Sequence, residues 1–173
     1  MYEDTLRFCP HCATTLESFI HDSHRRQRCP ACKWVHYRNP TVGVAVIVQT
    51  EQGLLLGRRR SGGWCIPCGH VEWDETVEQA ARREALEEIG LDVELQDVFA
   101  VLSNFHDPEH HTVGIWYRCR VDDLGSASAG GDLIELRLFP LDATPELIFP
   151  TDLQVVQRLI AEESRPYSGQ SIF

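Results

Sequence analysis

Two stretches of this chain carry residues whose types and spacing fit metal chemistry. The first reads Cys9-Pro10-His11-Cys12, then sixteen residues, then Cys29-Pro30-Ala31-Cys32. A C-x-x-C turn presents two thiolates from one tight loop, and two such turns complete a tetrahedron, which is the four-thiolate zinc pattern. Four thiolates close the coordination sphere, so such a site is structural rather than catalytic. A piece of about 40 residues buries too little apolar surface to fold unaided, and a metal supplies the missing stability. Paired disulfides are the alternative, disfavoured in a reducing compartment. His11 reads as a turn residue inside its knuckle.

The second stretch is a helix rich in carboxylates, expected over residues 74–89 and ended by Gly90 at its C-cap position. With Val77 set at 0° and about 100° per residue, Ala80, Ala81, Ala85 and Ile89 fall between about −60° and +120°. Glu84 and Glu88 fall inside that apolar face, at about −20° and +20°, and Glu87 lies beside it at about −80°. A solvated salt-bridge helix would point its charges the other way. Carboxylates on the buried face repel each other and are costly to desolvate. A hard divalent cation bound through oxygen resolves both problems. Arg83 can pair with Glu87 at i,i+4, or with Glu75 if the preceding loop folds back.

The elements around these stretches follow from composition. Residues 42–49 form a β-branched run bounded by Pro40 and a turn at Gln52-Gly53, and read as a buried strand. Further strands are expected over 54–58, 93–103, 113–121 and 133–139. Ser61-Gly62-Gly63 and the His-rich stretch 105–112 are loops. Thr151 and Asp152 can cap a last helix over 153–163, followed by a polar tail. Residues 1–8 read as a lead-in. Strands on either side of a central helix, with a second helix at the end, imply a mixed α/β sheet covered on both faces.

The remaining chemistry-bearing residues have bland readings beside the sharp ones. Cys65-Ile66-Pro67-Cys68 has redox spacing, but no helix opens at it, so a loop beside an active site is the plainer reading. Cys119 sits in an alternating stretch and reads as a strand cysteine. Arg58, Arg59 and Arg60 are the densest cationic cluster of their domain and can meet phosphates or edge a solvated turn. Trp64, Trp73 and Trp116 can stack on a base or pack in the core. His106, His110 and His111 can touch substrate or line a solvated loop.

The chain has 173 residues, enough for one ordinary domain and a small appendage. At 43% hydrophobic and 24% charged it has a globular composition. The run 42–48 is far shorter than the roughly 20 residues of a membrane-spanning helix. The start, Met1-Tyr2-Glu3-Asp4, is acidic where a secretory signal is basic and then apolar. A cytoplasmic protein without a membrane partner is expected. Charge is uneven: residues 1–40 carry six Lys/Arg against four Asp/Glu, and residues 41–173 carry ten Arg against 22 Asp/Glu. A domain this acidic argues against a nucleic-acid partner, and for a divalent cation if the substrate is anionic.

The helix and its lead-in resemble the Nudix hydrolase signature at every defined position. The match runs Gly69, five residues, Glu75, seven residues, Arg83-Glu84, Ala85, one residue, Glu87-Glu88, one residue, Gly90 and Leu91. Gly63-Trp64-Cys65-Ile66-Pro67 resembles the family's lead-in to this box. The N-terminal ribbon followed by Tyr37-Arg38-Asn39-Pro40 is similar to the zinc-ribbon-bearing branch, which includes NADH and FAD pyrophosphatases. Two departures stand out. Cys68-Gly69 replaces a Gly-Gly pair, and no Ser-Gln-Pro-Trp-rich motif of the NADH pyrophosphatases follows the box.

The resemblance implies a Nudix α/β/α sandwich with a mixed sheet over residues 39–173, preceded by a zinc ribbon over 1–38. It implies a pyrophosphatase that hydrolyses a nucleoside diphosphate linked to another group, such as FAD, NADH or ADP-ribose. Glu84, Glu87 and Glu88 would hold Mg²⁺ or Mn²⁺, with the Cys68 carbonyl as a further ligand. Glu75 and Arg83 would brace loop and helix, and Zn²⁺ would sit on Cys9, Cys12, Cys29 and Cys32. Arg58 and Trp64 are the substrate-binding candidates. Asp132, Glu135 and Glu109 are candidate general bases beside the box glutamates. The family also implies a small-molecule nucleotide partner and a homodimer. Two other classes compete: a zinc-ribbon binding module with a non-catalytic Nudix domain, and a thiol-redox protein using Cys65 and Cys68. An intact box speaks against the first.

Overall fold

The computed structural model describes residues 6–164. The expected polar tail lies outside the described residues, as do the first five residues of the expected lead-in. The described chain forms two compact units that divide between Asn39 and Pro40.

The first unit is a three-stranded antiparallel sheet: β1 (Glu17–His21), β2 (His24–Arg28) and β3 (Val35–His36). Its two cysteine turns repeat one construction. Ala13 donates to the Cys9 carbonyl at 2.9 Å and Lys33 to the Cys29 carbonyl at 3.0 Å. The Cys9 amide donates to Thr14 at 2.8 Å, and the Cys29 amide to Trp34 at 2.8 Å. Ala13 and Lys33 both take left-handed backbone, with φ of 58° and 66°. Two turns so alike bring four thiolates to one point without a large core.

The second unit is built on a mixed sheet. Its strands are β4 (Thr41–Thr50), β5 (Gly53–Arg59), β6 (Trp64–Cys65), β7 (Cys68–His70), β8 (Glu94–Asn104), β9 (Thr112–Arg120) and β10 (Leu133–Phe139). The main path runs β10-β5-β4-β9-β8, with β4 and β9 parallel and the other pairs antiparallel. The short strand β7 pairs with the front half of β4, and β6 with β5.

Two helices cover the sheet, α1 (Val77–Ile89) and α2 (Pro150–Glu163). The β-branched run of β4 explains how. Val44, Val46 and Val48 face the cluster that holds Ala80, Ala81, Ala85 and Ile89 of α1. Ala45 and Ile47 face the other way, into a cluster with Val155, Val156 and Leu159 of α2. A strand with helices on both faces buries alternate side chains in two cores, so it reads as one continuous apolar run. This is the expected α/β/α sandwich with its mixed sheet.

Both helix starts differ from the sequence expectation. α1 begins at Val77, not 74, because Thr76 caps it. The Thr76 hydroxyl accepts from the Gln79 amide at 3.2 Å, and the Gln79 side chain accepts from the Thr76 amide at 2.7 Å, a full capping box. α2 begins at Pro150, with Phe149 as N-cap and no side-chain cap bond. Thr151 and Asp152 are therefore inside its first turn and buried rather than capping it. Proline at the first helical position is pre-set for the helix and has no amide to satisfy. At the far end of α1, Gly90 closes the helix as expected, with φ 70° and its amide donating to Leu86 at 3.1 Å.

Candidate active site

Along α1, the helical period delivers the three glutamates as its angles require. Glu88 is 4% exposed, the Glu84 side chain 13% and that of Glu87 56%. The buried pair meets β7. The Glu88 carboxylate accepts from the Cys68 amide at 2.7 Å. The Glu84 carboxylate lies so close over Gly69 that a Cβ there would be 1.9 Å from its Cδ. Only glycine lets helix and strand approach this closely.

Arg83 organises the remaining charge. Its Nε and Nη2 donate to both oxygens of Glu75 at 3.0 and 2.6 Å, a bidentate pair. Its Nη1 reaches Glu84 at 2.7 Å and Glu87 at 3.1 Å, and its Nη2 also donates to the His70 carbonyl at 2.9 Å. The loop does fold back, so Arg83 pairs with Glu75 and Glu87 at once. Glu75 is held down at about 2, by the Arg83 bonds first and by the Glu72 amide second. Glu88 moves the other way, up to about 7, because burial disfavours its charge more than the Cys68 amide favours it.

Glu84, Glu87 and Glu88 line a cavity of about 550 Å³ together with Cys68, Gly69 and His70 of β7. Oε2 of Glu84, Oε1 of Glu87 and Oε1 of Glu88 have no partner among the described residues. Free carboxylate oxygens on one wall are the donor set of a hard divalent cation. The three are not drawn into a point, since Glu84 and Glu87 lean on Arg83. Among the described residues only Cys9, Cys12, Cys29 and Cys32 bring their ligand atoms within 4.8 Å of one another. The Cys9–Cys32 and Cys12–Cys29 sulfur separations, 3.6 and 3.4 Å, are far beyond a disulfide bond. Amides of His11 and Cys32 point at the Cys9 and Cys29 sulfurs at 3.4 Å each. This is the hydrogen bonding expected of thiolates on a metal.

The other candidates separate. Cys68 lines the cavity, while Cys65 is fully buried with its thiol donating to the Gly57 carbonyl at 3.7 Å. The Cys68 thiol is pushed well above its ordinary range, by Cys65 first and burial second. That leaves little reactive thiolate for redox chemistry. Arg59 rather than Arg58 lines the cavity, tied to Asp132 at 2.6 Å. Arg58 is paired with Glu135 at 2.9 Å off the cavity. Trp64 also lies off it, packed edge-on against Phe139 at 4.8 Å. Trp73 is fully exposed, and Trp116 is buried at the cavity wall. Of the candidate bases, Asp132 lines the cavity, and Glu135 and Glu109 do not. His106 and His110 line it, and His111 does not.

Sequence reasoning missed the opposite wall. Phe149, Thr151 and Asp152, at the start of α2, complete the cavity. Asp152 is 1% exposed and accepts from the Ile66 amide at 2.9 Å and Trp116 Nε1 at 3.1 Å. Burial raises its carboxyl to about 7 against those two bonds. Read as helix caps, Thr151 and Asp152 carried no signal of a pocket. Proline before two polar residues, pointing to an earlier helix start, was the available clue.

The NUDIX domain family model matches residues 38–159, the whole of the sheet and both core faces. The chain belongs to the Nudix hydrolase family. A second model, the Nudix N-terminal zinc ribbon, matches residues 7–38. The Nudix relatives include an ADP-ribose pyrophosphatase of Methanocaldococcus jannaschii. It is 34% identical over 68% of this chain and 72% of its own length. A NAD-capped RNA hydrolase NudC of Chromobacterium violaceum is 30% identical over 89% of this chain. That alignment spans 57% of the Chromobacterium protein, so this chain covers little more than half of it. A Nudix hydrolase structure from Nitrosomonas europaea superposes with a TM-score of 0.80 and 31% identity, covering 93% of this chain and 95% of that one. The Nudix chain described here is accordingly an enzyme of the pyrophosphohydrolase class. Among its described residues no helix is long and apolar enough to cross a membrane.

Proposed function

We propose that this Nudix hydrolase cleaves the diphosphate bond of a nucleoside diphosphate linked to another group, with ADP-ribose, NADH, FAD and an NAD-type RNA cap as the candidate classes. The observation that carries the reading is the close seat of Glu84 and Glu88 on β7, with Glu87 beside them and unpartnered oxygens toward one cavity. When bound there, Mg²⁺ or Mn²⁺ would neutralise the diphosphate, polarise phosphorus and lower the pKa of a coordinated water.

The protein's own residues supply position and charge. Glu84, Glu87 and Glu88 hold the cation. Arg83, locked by Glu75, fixes where Glu84 and Glu87 point. The Cys68 amide fixes Glu88, and its carbonyl remains a proposed further ligand. Arg59 offers the cavity's cation to a substrate phosphate, with Asp132 holding it in place. Water attacks phosphorus, where the stabilising charge is concentrated, and the other phosphate leaves. The four thiolates hold a structural zinc that replaces a core in the ribbon. The cavity serves a small nucleotide; the homodimer and the cytoplasmic location stay proposals drawn from the family and the composition.

The test is a panel of ADP-ribose, NADH, FAD, NAD-capped RNA, diadenosine polyphosphates and nucleoside triphosphates with Mg²⁺ or Mn²⁺, run in ¹⁸O-water. Label in a phosphate-bearing product and release of a nucleoside monophosphate are expected. Label in a sugar hydroxyl would mean glycosidic cleavage. Absence of hydrolysis across the panel would favour a binding module.

A further inference from the structure

Ile66, Pro67 and Cys68 lead from β6 into β7, and a different element grips each. The Ile66 amide donates to Oδ2 of Asp152 on α2 at 2.9 Å. The Pro67 carbonyl accepts from the Val46 amide on β4 at 3.0 Å. The Cys68 amide donates to Oε2 of Glu88 on α1 at 2.7 Å.

The ladder of β7 on β4 decides which way these groups point. Antiparallel pairs alternate between bonded and unbonded. Val46 bonds to Pro67, so the next pair, Ala45 with Cys68, is unbonded, and so is Gly43 with His70. Cys68 and His70 therefore turn their amides and carbonyls away from β4. Cys68 gives its amide to Glu88, and the His70 carbonyl accepts from Arg83 at 2.9 Å. The position of Cys68 thus sets where the Glu88 carboxylate stands and where the Cys68 carbonyl points.

Asp152 is a costly residue for its place. It is 1% exposed, and an apolar side chain would avoid the desolvation of a carboxylate. Its second oxygen, Oδ1, accepts from Trp116 Nε1 at 3.1 Å. An indole nitrogen and a backbone amide can only donate. Their shared partner must therefore present two acceptors. A carboxylate does so, whereas the amide of Asn would turn its NH₂ against one of the two donors. Ile66 is fully buried, so its amide has no solvent to turn to if Asp152 is lost.

We propose that Asp152 is a positioning residue for the metal site: by holding the Ile66 amide it sets Cys68 on β7, and through Cys68 it sets the Glu88 carboxylate. This rests on the metal reading of Glu88 above, so one of its two readouts needs no metal.

The first readout is the Mn²⁺ affinity of the full chain without substrate, from the electron paramagnetic resonance of free Mn²⁺. The second is hydrogen exchange of the Cys68 amide in metal-free protein, relative to amides of β8 and β9. D152N should weaken Mn²⁺ binding about tenfold or more. It should also speed Cys68 exchange about tenfold or more relative to β8 and β9. The deciding variant is W116F/D152N. With the indole donor removed, the amide oxygen introduced by D152N is free to accept from Ile66, and its NH₂ meets no donor. Both readouts should return to within about threefold of W116F. A lost charge would instead weaken Mn²⁺ equally with and without W116F. A general loss of stability would speed exchange in Cys68 and the sheet alike. Either result overturns the proposal, as do wild-type values of both readouts in D152N, or a W116F/D152N protein that does not fold. If D152N alone does not fold, W116F against W116F/D152N carries the test. Failure of the wild type to bind Mn²⁺ would refute the metal reading alone, and Cys68 exchange would still decide the role of Asp152.

Discussion

The Glu84 carboxylate occupies the space in which a side chain at position 69 would stand: a Cβ built on Gly69 falls 1.9 to 2.2 Å from Cδ and both oxygens of Glu84. Neither element can yield easily. β7 is paired to β4, and Glu84 is anchored by Arg83 at 2.7 Å. G69A should therefore displace Glu84 and cut turnover by about tenfold to a hundredfold, since small misplacements in a catalytic site are that expensive. Steady-state rates with melting curves test this. Unchanged rates in a folded variant would show that the seat of Glu84 does not matter.

Replacing a carboxylate on the cavity wall removes charge without changing shape. E87Q and E88Q should each lower turnover by at least about a hundredfold with the fold retained. Wild-type rates in both variants across a Mg²⁺ titration would exclude the metal assignment.

The Glu75–Arg83 pair gives a pH signature. The folded carboxyl lies at about 2, below its ordinary 4.5, chiefly through the Arg83 bonds. A depressed carboxylate contributes stability above its unfolded pKa and loses it as pH falls through the folded value. The melting temperature of the wild type should thus fall more steeply than that of E75Q between pH 4.5 and about 2. Parallel curves would mean that the pair contributes nothing to stability.

One zinc per chain is expected by elemental analysis of protein purified without chelator. Its removal should raise amide exchange in residues 6–39 before it does so in the sheet of the second unit. Zinc-free protein with Cys9, Cys12, Cys29 and Cys32 in disulfides would overturn the ribbon reading.

What the sequence determined on its own was periodic or local. The spacing of four cysteines announced the ribbon, because each knuckle needs only its own few residues. The 3.6-residue period placed Glu84 and Glu88 on the buried face of α1, and Gly90 ended that helix because left-handed backbone there suits glycine. The β-branched run of β4 announced a strand buried on both sides. Tertiary structure decided what those carboxylates meet. The seat of Glu84 on Gly69 and of Glu88 on the Cys68 amide depends on β7, three residues whose pairing with β4 is non-local. It also decided that Arg59 faces the cavity while Arg58 turns to Glu135, since neighbouring strand residues point to opposite faces. Thr151 and Asp152 were read from the sequence as helix caps. Their place on the cavity wall depends on α2 starting at Pro150 and on bonds from Ile66 and Trp116, partners 86 and 36 residues from Asp152 in the chain. Local rules fix the period of a helix or strand, but the partner across a cavity is chosen by the packing of the whole sheet.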